Sequence, residues 1–441
     1  MSTICAISTP RGTGGIAVIR VSGKDAIRIT DSIFSGRHPL QDARGYSAHY
    51  GTIADLDDVI VTVFRAPHSF TGEDVVEIAC HGSLYIQQEL LLRLINAGCR
   101  LAEAGEFTKR AFMNGKMDLS EAEAVADLIA AESRAAHNIA LNQMRGGIRQ
   151  ELKTLRERLL HFTSLVELEL DFADHEELEF ADRTELSRLA AEVESHILRL
   201  LNTFHTGNAL KNGIPVAIIG PTNVGKSTLL NALAGENRAI VSAVHGTTRD
   251  TIEDTVNING VTFRFIDTAG LRHTDNEIEV IGIQRTIEAA AKASVILLVS
   301  DARQAEEALP ENIDLNGKTV IHVRNKADLV PDSDRRTYDT DTVFISARQG
   351  DLSNLRDLLF RCLPANAGTS DTVISNIRHY EALQKAADAI KRVSAGIKDS
   401  ISGEFLSMDL QDCLTALGEI TGEITSTEVL ENIFKHFCIG K

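Results

Sequence analysis

Two kinds of apolar pattern alternate along this chain. Short runs rich in Val, Ile and Phe and bounded by Gly, Pro or Asp are typical of buried strands; they occur in the first part of the chain and again in its middle. Elsewhere apolar residues recur at three- and four-residue spacing, which predicts helices. Several domains are therefore expected, because 441 residues also exceed what one ordinary core holds.

Residues 1–116 are predicted to form a mixed α+β domain. Strands are expected at 16–21, 59–64 and 75–80, and a helix is expected over 84–97, ending before a glycine. Lys and Arg balance Asp and Glu in this segment, so it is neutral.

From residue 117 the pattern becomes helical. Ser120 and Glu123 have the spacing of a capping box, and one further helix is predicted over 185–205. Between them, residues 167–182 contain eight carboxylates and no Lys or Arg. This run is interpreted as a solvated acidic loop, with a cation site as the alternative.

A second strand-rich region interrupts the helices. Its apolar runs alternate with helical segments, which predicts a mostly parallel sheet covered by helices on both faces; the runs are 216–219, 262–266, 295–299, 319–323 and 343–345.

Helices are predicted again after this region, over 378–397 and 406–419, with a last one opened by Thr425 and Glu428. Because helices cannot bury their apolar faces alone, we expect 117–211 and 368–441 to form one discontinuous helical domain. The α/β domain, 212–367, would then be an insert between them.

The segment Gly220–Ser227 fits the phosphate-loop pattern G-x-x-x-x-G-K-[ST], between a predicted strand and a predicted helix. The two glycines let backbone N–H groups surround phosphate oxygens, and the helix N-terminus adds partial positive charge. Lys226 is expected to reach the outer phosphates and Ser227 to hold magnesium. A chance match in a glycine-containing turn is the alternative.

Further motifs follow at strand ends and predict a guanine nucleotide. Asp267-Thr268-Ala269-Gly270 suits magnesium and the terminal phosphate. In Asn325-Lys326-Ala327-Asp328, the carboxylate of Asp328 can accept two hydrogen bonds from guanine, whereas adenine would leave it unpaired. Ser346-Ala347 completes the base pocket. Each tetrapeptide alone could be a surface turn; four in this order predict GTP binding.

Hydrolysis needs a group that small signalling GTPases supply with glutamine. Here Leu271 follows Gly270 and cannot orient water. The side-chain oxygen of Asn223, in the phosphate loop, could instead ligate a potassium ion that stabilises transition-state charge. A hydrogen bond that stabilises the loop is the alternative role for Asn223.

Composition limits the expected binding partners, cysteine chemistry and cellular location. The formal charge of −17 excludes a dedicated basic nucleic-acid binder, so any RNA contact is expected to be local or shared with a partner. The cysteines, with no C-x-x-C pair, favour reduced thiols over disulfides or a zinc site; they are Cys5, Cys80, Cys99, Cys362, Cys413 and Cys438. No apolar run is long enough for a membrane span and no signal peptide is recognisable, so we expect a cytoplasmic protein.

Together, four features resemble the MnmE (TrmE) family of tRNA-modification GTPases across the whole chain. They are the loop with Asn223, Gly246-Thr247-Thr248-Arg249-Asp250, Asp267-Thr268-Ala269-Gly270-Leu271-Arg272, and the terminal Phe437-Cys438-Ile439-Gly440-Lys441. The terminal segment is the most specific of these features. Its alternative interpretation, a prenylation motif, is disfavoured because such a motif does not usually end in Lys. One departure is Thr222, where family loops usually carry proline; it removes no phosphate donor.

The resemblance implies a potassium-activated GTPase whose G domains pair across a dimer. Potassium would be held by Asn223, Ser242, Val244 and Thr247, and magnesium by Ser227 and Thr248. Glu279 would orient the attacking water, with Asn223 and Lys226 as the other catalytic residues. The implied nucleotide contacts are Asn223, Val224, Gly225, Lys226, Ser227, Thr228, Ser242, Ala243, Val244, His245, Gly246, Thr247, Thr248, Asp267, Thr268, Ala269, Gly270, Asn325, Lys326, Asp328, Ser346, Ala347 and Arg348.

The resemblance also implies that residues 1–116 bind a tetrahydrofolate derivative (5-formyl- or 5,10-methylene-) and form a constitutive homodimer. The matching folate contacts are Arg20, Glu77, Lys116 and Lys441. A structural ion pair is the alternative for Arg20 and Glu77. Cys438 matches a candidate catalytic thiol, although a free terminal cysteine is more often inert.

With a flavoprotein partner, MnmG, which carries FAD, family members add an aminomethyl or carboxymethylaminomethyl group to ring carbon five of the wobble uridine of certain tRNAs. A ribosome-assembly GTPase shares the nucleotide motifs and is the alternative, but it predicts an appended RNA-binding module with a basic G-x-x-G loop, which is absent from the C-terminal helices. A membrane-remodelling GTPase is disfavoured because no basic amphipathic or lipid-anchoring segment is present.

Overall fold

The computed structural model describes residues 2–171, 183–236, 254–266, 279–305, 313–331, 341–363, 372–435, 437 and 440; for 169, 171, 236 and 279–285 it describes the backbone only. These residues group into two compact units. The first comprises Met1–Ile129, Gln143–Leu189 and Asp388–Lys441, and the second comprises Ala130–Asn142 and Ala190–Ala387. The domain boundaries expected from the sequence stay predictions.

Strands and helices are numbered in chain order. The strands are β1 (Ile4–Ile7), β2 (Gly14–Ser22), β3 (Phe34–Gly36), β4 (Ser47–Ile53), β5 (Asp57–Phe64), β6 (Val75–Gly82), β7 (Arg100–Leu101), β8 (Ile214–Ile219), β9 (Asp254–Ile258), β10 (Val261–Phe265), β11 (Val295–Asp301), β12 (Thr319–Asn325) and β13 (Thr342–Phe344). The helices are α1 (Ala26–Ile33), α2 (Leu84–Asn96), α3 (Glu106–Met113), α4 (Leu119–Ala130), α5 (Arg134–Met144), α6 (Gly147–Asp171), α7 (Arg183–Asn202), α8 (Phe204–Asn212), α9 (Lys226–Glu236), α10 (Glu279–Lys292), α11 (Ser353–Arg361), α12 (Ile377–Lys398), α13 (Gly403–Thr421) and α14 (Thr427–Lys435).

The first unit contains a sheet in the order β3-β4-β5-β6-β2-β1-β7, antiparallel except where β1 pairs with β7. Its core lies between one sheet face and helices α1 and α2, where Ile19, Val61, Ile78 and Leu90 are buried. The three predicted strands and the predicted helix are present. The sequence missed β1, β3, β4 and β7 because three of them are only two to four residues long and β4 is mostly polar.

The start of α4 corrects the predicted capping box. Asp118, not Ser120, caps the helix: its Oδ1 accepts the backbone N–H of Glu121 at 2.8 Å, and Glu121 Oε2 accepts the N–H of Asp118 at 2.7 Å. Ser120 is fully buried and its hydroxyl donates to Asp118 Oδ1 at 2.8 Å. The box exists two residues earlier because aspartate serves as well as serine at this position.

Two other helix boundaries differ from the prediction. The helix expected over 185–205 ends at Asn202, and α8 begins after Thr203, whose hydroxyl donates to the carbonyl of Leu200 at 2.6 Å and accepts the N–H of Ile374 at 2.9 Å. The last helix begins at Thr427 rather than at Thr425, since the hydroxyl of Ser426 accepts the N–H of Val429 at 3.3 Å.

The two segments predicted to form the helical domain contact each other within each unit. In the first unit, α6 packs along α13, and Glu167 accepts hydrogen bonds from Ser407 and Gln411. In the second, the rings of Phe204 and Tyr380 stack with centroids 4.3 Å apart. Among the residues described, no helix is long and apolar enough to cross a membrane.

The sheet of the second unit has the order β13-β12-β11-β8-β10-β9, and every pair except β9–β10 is parallel. Buried residues of α9 and α11 cover one face and those of α10 the other, as predicted. The sequence missed β9, whose alternation of polar and apolar residues spans only five positions. All parallel strands end at the edge where the phosphate loop begins.

Candidate functional site

The phosphate loop connects β8 to α9, the context that its motif requires. Gly220 has a φ of +150°, and a Cβ there would lie 2.1 Å from the carbonyl oxygen of Val299. Gly225 has a φ of +94°, and a Cβ there would lie 2.4 Å from Nδ2 of Asn325. Both glycines are thus required by the close approach of neighbouring strands and loops, so a chance glycine turn does not explain the match.

Lys226 is held across the loop. Its ammonium group donates to the carbonyl oxygens of Gly220 and Pro221, each at 2.7 Å. Burial lowers the pKa of this lysine from its ordinary value. The loop thus presents a partly desolvated cation beside backbone N–H groups at a helix N-terminus, an arrangement that binds phosphate oxygens.

Asn325 and Lys326 hold the phosphate loop from the neighbouring strand end. Nδ2 of Asn325 donates to the carbonyl of Val224 at 2.8 Å, and Nζ of Lys326 donates to the carbonyl of Asn223 at 2.8 Å. Oδ1 of Asn325 in turn accepts the N–H of Ala347 at 3.1 Å. The motif predicted for the base therefore also ties the phosphate loop to the base pocket.

The base pocket is assembled from two turns. The Ser346 hydroxyl donates to Oδ1 of Asp328 at 2.7 Å, which orients that exposed carboxylate. Ser346 and Ala347 are buried, and the N–H of Ala327 donates to the carbonyl of Ile345 at 2.9 Å. Arg348 is exposed. A carboxylate oriented in this way can accept the paired N–H donors of guanine; the base-binding role of Asp328 stays a prediction.

Two residues that the sequence analysis did not single out lie beside this site. Asp301 ends β11 and accepts hydrogen bonds from Arg303 and, at 3.0 Å, from Nζ of Lys326. Donation by Arg303 holds the pKa of Asp301 well below its usual range. The available signal was a single carboxylate two residues after the apolar run that ends at Val299, at the edge of the sheet where the motifs lie.

Several predicted site residues lie outside the described residues. These are Ser242, Ala243, Val244, His245, Gly246, Thr247, Thr248, Asp267, Thr268, Ala269 and Gly270. Glu279 is the first residue of α10, and its side chain is not described. Ser227 and Thr228 lie in the first turn of α9. The magnesium and potassium assignments stay predictions.

In the first unit, Arg20 and Glu77 face each other across β2 and β6. Nε and Nη2 of Arg20 donate to Oε1 of Glu77 at 2.9 and 2.7 Å, and the guanidinium lies 5.6 Å from the ring centroid of Phe70 and 5.7 Å from that of Phe107. The ion pair that the sequence left as an alternative is therefore present. Such a pair does not exclude ligand binding, because both side chains keep some exposure.

The C-terminal tail reaches this pair. The Gly440 carbonyl accepts a hydrogen bond from the Ser8 hydroxyl at 3.1 Å and a longer one, 3.5 Å, from Arg20. Lys116 donates to the carbonyl of Pro67 at 3.0 Å, in the loop that also carries Phe70. Arg20, Glu77 and the tail are thus brought together, with Lys116 against an adjoining loop, while Cys438 and Lys441 lie outside the described residues.

Comparison with known proteins identifies the family. A family model for the MnmE helical domain matches residues 119–438, and one for the GTP-binding protein TrmE N-terminus matches residues 3–116. The tRNA modification GTPase MnmE of Parabacteroides distasonis is 54% identical over 465 residues, covering 100% of both chains. The chain belongs to the MnmE family. The protein of that name from Bacteroides fragilis strain YCH46 is 51% identical over 468 residues, covering 100% of this chain and 99% of its own.

Among solved structures, the G domain of the T. maritima FeoB iron transporter is 25% identical over 34% of this chain and 99% of its own, with a TM-score of 0.24. A probable GTP-binding protein engB is 20% identical over 34% of this chain and 97% of its own, with a TM-score of 0.21.

Membership of the MnmE family confirms the resemblance inferred from the motifs. It also confirms the predicted fold class: an α+β N-terminal domain, a discontinuous helical domain and an inserted α/β phosphate-loop G domain. Four of the cysteines that the structure describes are buried free thiols, and Cys362 is a half-buried one.

Proposed function

We propose that this MnmE-family chain is a potassium-activated GTPase acting in tRNA wobble-uridine modification. Together with the flavoprotein MnmG, it adds a (carboxymethyl)aminomethyl group to ring carbon five of that base. Family membership supports the GTPase and tRNA-modification role. The potassium requirement, the folate, the homodimer, the flavoprotein partner and the cytoplasmic location go beyond the family name and rest on the resemblance and on the residues below.

One observation carries the potassium assignment. Asn223 sits exposed in the loop with a φ of +63°, a conformation that asparagine tolerates better than most residues. Among the described residues its side chain has no hydrogen-bond partner, because the loop is held instead by Lys326 and Asn325. These bonds to the loop supply the stabilisation that was the alternative role for Asn223, which supports the proposal that its amide oxygen serves as a hard oxygen ligand.

The remaining cation ligands are proposed from the family resemblance. Asn223, Ser242, Val244 and Thr247 would hold potassium, and Ser227 and Thr248 would hold magnesium. These ions neutralise charge that develops on the transferred phosphoryl group. Lys226 binds the outer phosphates, Asp328 and Ser346 select guanine, and Glu279 orients the attacking water.

The potassium assignment predicts that GTP turnover is many-fold faster in potassium than in sodium. Both Asn223→Ala and Asn223→Gly are expected to abolish that difference. Glycine adopts the left-handed backbone freely, so its failure to restore potassium stimulation assigns the effect to the lost amide oxygen rather than to strain. Steady-state phosphate release in the two salts measures it.

Asn259 offers a matched control. It is also exposed and left-handed, with a φ of +52°, but it lies in the β9–β10 turn. Asn259→Ala should keep full potassium stimulation. Equal wild-type rates in potassium and sodium would refute the cation mechanism while leaving GTP binding intact.

Glu279→Ala tests the water-orienting role. Nucleotide affinity should stay unchanged, while hydrolysis slows by about 10²-fold or more, since a positioned base contributes on that order. Fluorescent-nucleotide titration and single-turnover hydrolysis separate the two effects. Unchanged hydrolysis would place the water-orienting group elsewhere.

The folate site is proposed at Arg20, Glu77, Lys116 and Lys441. The partly buried ring of Phe70 beside the Arg20–Glu77 pair suits a planar pterin next to polar partners. Arg20→Met should weaken binding of 5-formyltetrahydrofolate in calorimetry. Arg28→Met, which replaces an exposed arginine on α1, should not.

Nucleoside mass spectrometry of tRNA from a deletion strain carrying either variant tests the modification itself. Normal wobble uridines in the deletion strain would refute the function.

A further inference from the structure

Asp301 forms ion pairs with Arg303 and Lys326. The motifs that predict guanine and phosphate binding do not include Asp301 or Arg303. The residue is 3% exposed, and its carboxylate lies between two cations. Oδ1 accepts the backbone N–H and Nε of Arg303, each at 3.0 Å, and Oδ2 accepts Nη2 of Arg303 at 2.7 Å. Oδ2 also accepts Nζ of Lys326 at 3.0 Å.

This carboxylate fixes the direction in which Lys326 points. A lysine side chain has four rotatable bonds and loses considerable entropy when it is ordered. Here the ammonium group is shared between Asp301 Oδ2 and the carbonyl of Asn223, so the charge of Asp301 draws Lys326 toward the phosphate loop. Arg303 donates two side-chain hydrogen bonds to the same carboxylate, and this pair fixes the orientation of the Asp301 side chain.

The contact acts on a strained part of the loop. Asn223 and Lys326 face each other, and both have left-handed backbones, with φ of +63° and +64°. Such conformations are unfavourable for a residue other than glycine and persist when neighbouring bonds over-determine them. Two consecutive loop carbonyls, of Asn223 and Val224, are held by the consecutive residues Lys326 and Asn325.

We propose that Asp301 and Arg303 are positioning residues for the phosphate loop. Through Lys326 they hold the Asn223 peptide in the form that receives nucleotide and cation before either ligand arrives. Neither residue touches the reacting atoms; Arg303 acts through Asp301, and Asp301 through Lys326. The part of this inference that concerns the cation rests on the proposed potassium-activated function, whereas the part that concerns nucleotide affinity does not.

Asp301→Asn and Arg303→Ala test the chain of contacts in the full-length protein. Each should weaken GDP affinity by roughly tenfold, since the charged pair that orients Lys326 is lost, and should raise the potassium concentration for half-maximal GTP turnover. The kcat at saturating GTP and potassium should stay within about twofold of the wild type, because no group that contacts the phosphates is removed. Arg303→Lys, which keeps charge but not the paired hydrogen bonds, should fall between Arg303→Ala and the wild type.

The double variant distinguishes positioning from two independent losses. If Arg303 acts through Asp301, the double variant should be no worse than Asp301→Asn alone. Additive losses, or GDP affinity equal to the wild type in both single variants, would overturn the proposal. Arg303 is half-exposed, so Arg303→Ala should fold even if Asp301→Asn does not.

Lys318 provides a matched control at the other end of β12. Its ammonium group donates to the carbonyls of Ala290, Ala291 and Ala293 at the end of α10. Lys318→Met should lower the melting temperature without changing GDP affinity; a parallel loss of affinity would attribute the Asp301 effects to general destabilisation. If the wild type shows no potassium stimulation, the proposed function fails, and the GDP affinities still decide the positioning role.

Discussion

At the residue scale, the phosphate loop is shaped by contacts that its motif does not contain. The pattern G-x-x-x-x-G-K-[ST] predicted glycines near phosphate, and the structure shows that both glycines are also needed because protein atoms approach them. The nearest atoms belong to Val299 for Gly220 and to Asn325 for Gly225. The sequence could predict the residue types of the site because each motif carries its own chemistry. It could not predict Asp301 and Arg303, because their role depends on which strands are neighbours.

Gly225→Ala is expected to disable the site while leaving the domain folded. The new Cβ would lie 2.4 Å from Nδ2 of Asn325 in a backbone with a φ of +94°, so the bond from Asn325 to Val224 should break. We expect a destabilisation of about 1–3 kcal/mol and a loss of GDP affinity of at least tenfold. Denaturant unfolding and fluorescent-nucleotide titration measure both.

Gly235→Ala, near the end of α9, is the control for this substitution. A Cβ there meets nothing within 4 Å, so stability should rise by up to about 1 kcal/mol, because alanine favours the helix, and affinity should not change. Wild-type GDP affinity in Gly225→Ala would mean that the contact with Asn325 is not needed for binding.

At the element scale, the sequence predicted long periodic helices and continuous apolar strands, and missed elements whose formation depends on a partner. The helix at α2 and the parallel strands of the second unit followed from local pattern. In contrast, β9 pairs antiparallel with β10 and extends a sheet that local pattern alone does not reveal. Helix caps were displaced where a similar residue nearby takes the role: by two residues at Asp118, which replaces Ser120, and by one at Ser426, which replaces Thr425.

The cap of α4 has a pH dependence that can be measured. Burial raises the pKa of Asp118, and among the described residues its Oδ2 has no hydrogen-bond partner. Because the folded-state pKa lies above the unfolded value, the stability linked to this group is fully present below the unfolded pKa. It is lost as the pH rises through the raised folded-state pKa.

Asp118→Asn keeps the Oδ1 acceptor of the cap and removes the buried charge, so it should be near neutral or stabilising at pH 7 and should flatten this pH dependence. Asp118→Ala removes the cap as well and should cost about 1 kcal/mol. Urea unfolding of both variants at several pH values from acid to neutral checks these expectations. A steeper loss of stability with rising pH in Asp118→Asn would contradict them.

At the scale of the whole molecule, two features bear on partner and ligand binding: the net charge of −17 and the contact between residues from the start and the end of the sequence. An acidic chain that acts on tRNA fits a division of labour in which a partner supplies much of the basic surface. Within the first unit, Gly440 lies against the first strands of the chain, where its carbonyl accepts hydrogen bonds from Ser8 and Arg20. Composition predicted that any RNA contact is local or shared with a partner, but no local pattern could predict which strands Gly440 would contact.

Gly440→Ala tests whether the contacts of Gly440 with Ser8 and Arg20 contribute to the proposed folate site. Gly440 has a φ of +95°, and a Cβ there would lie 2.3 Å from the carbonyl oxygen of Ile7, so alanine should displace the tail from Arg20. Losing these tail contacts should weaken binding of 5-formyltetrahydrofolate by roughly tenfold. GTP turnover should not change, because the phosphate loop belongs to the other unit. Gly98→Ala is the control, since it places alanine at another positive-φ glycine of the same unit, with a φ of +116°, where a Cβ meets only Cδ1 of Ile29 at an ordinary 3.8 Å. If calorimetry shows wild-type folate affinity in Gly440→Ala, the tail does not contribute to the site, and the matching position of Lys441 loses its proposed role.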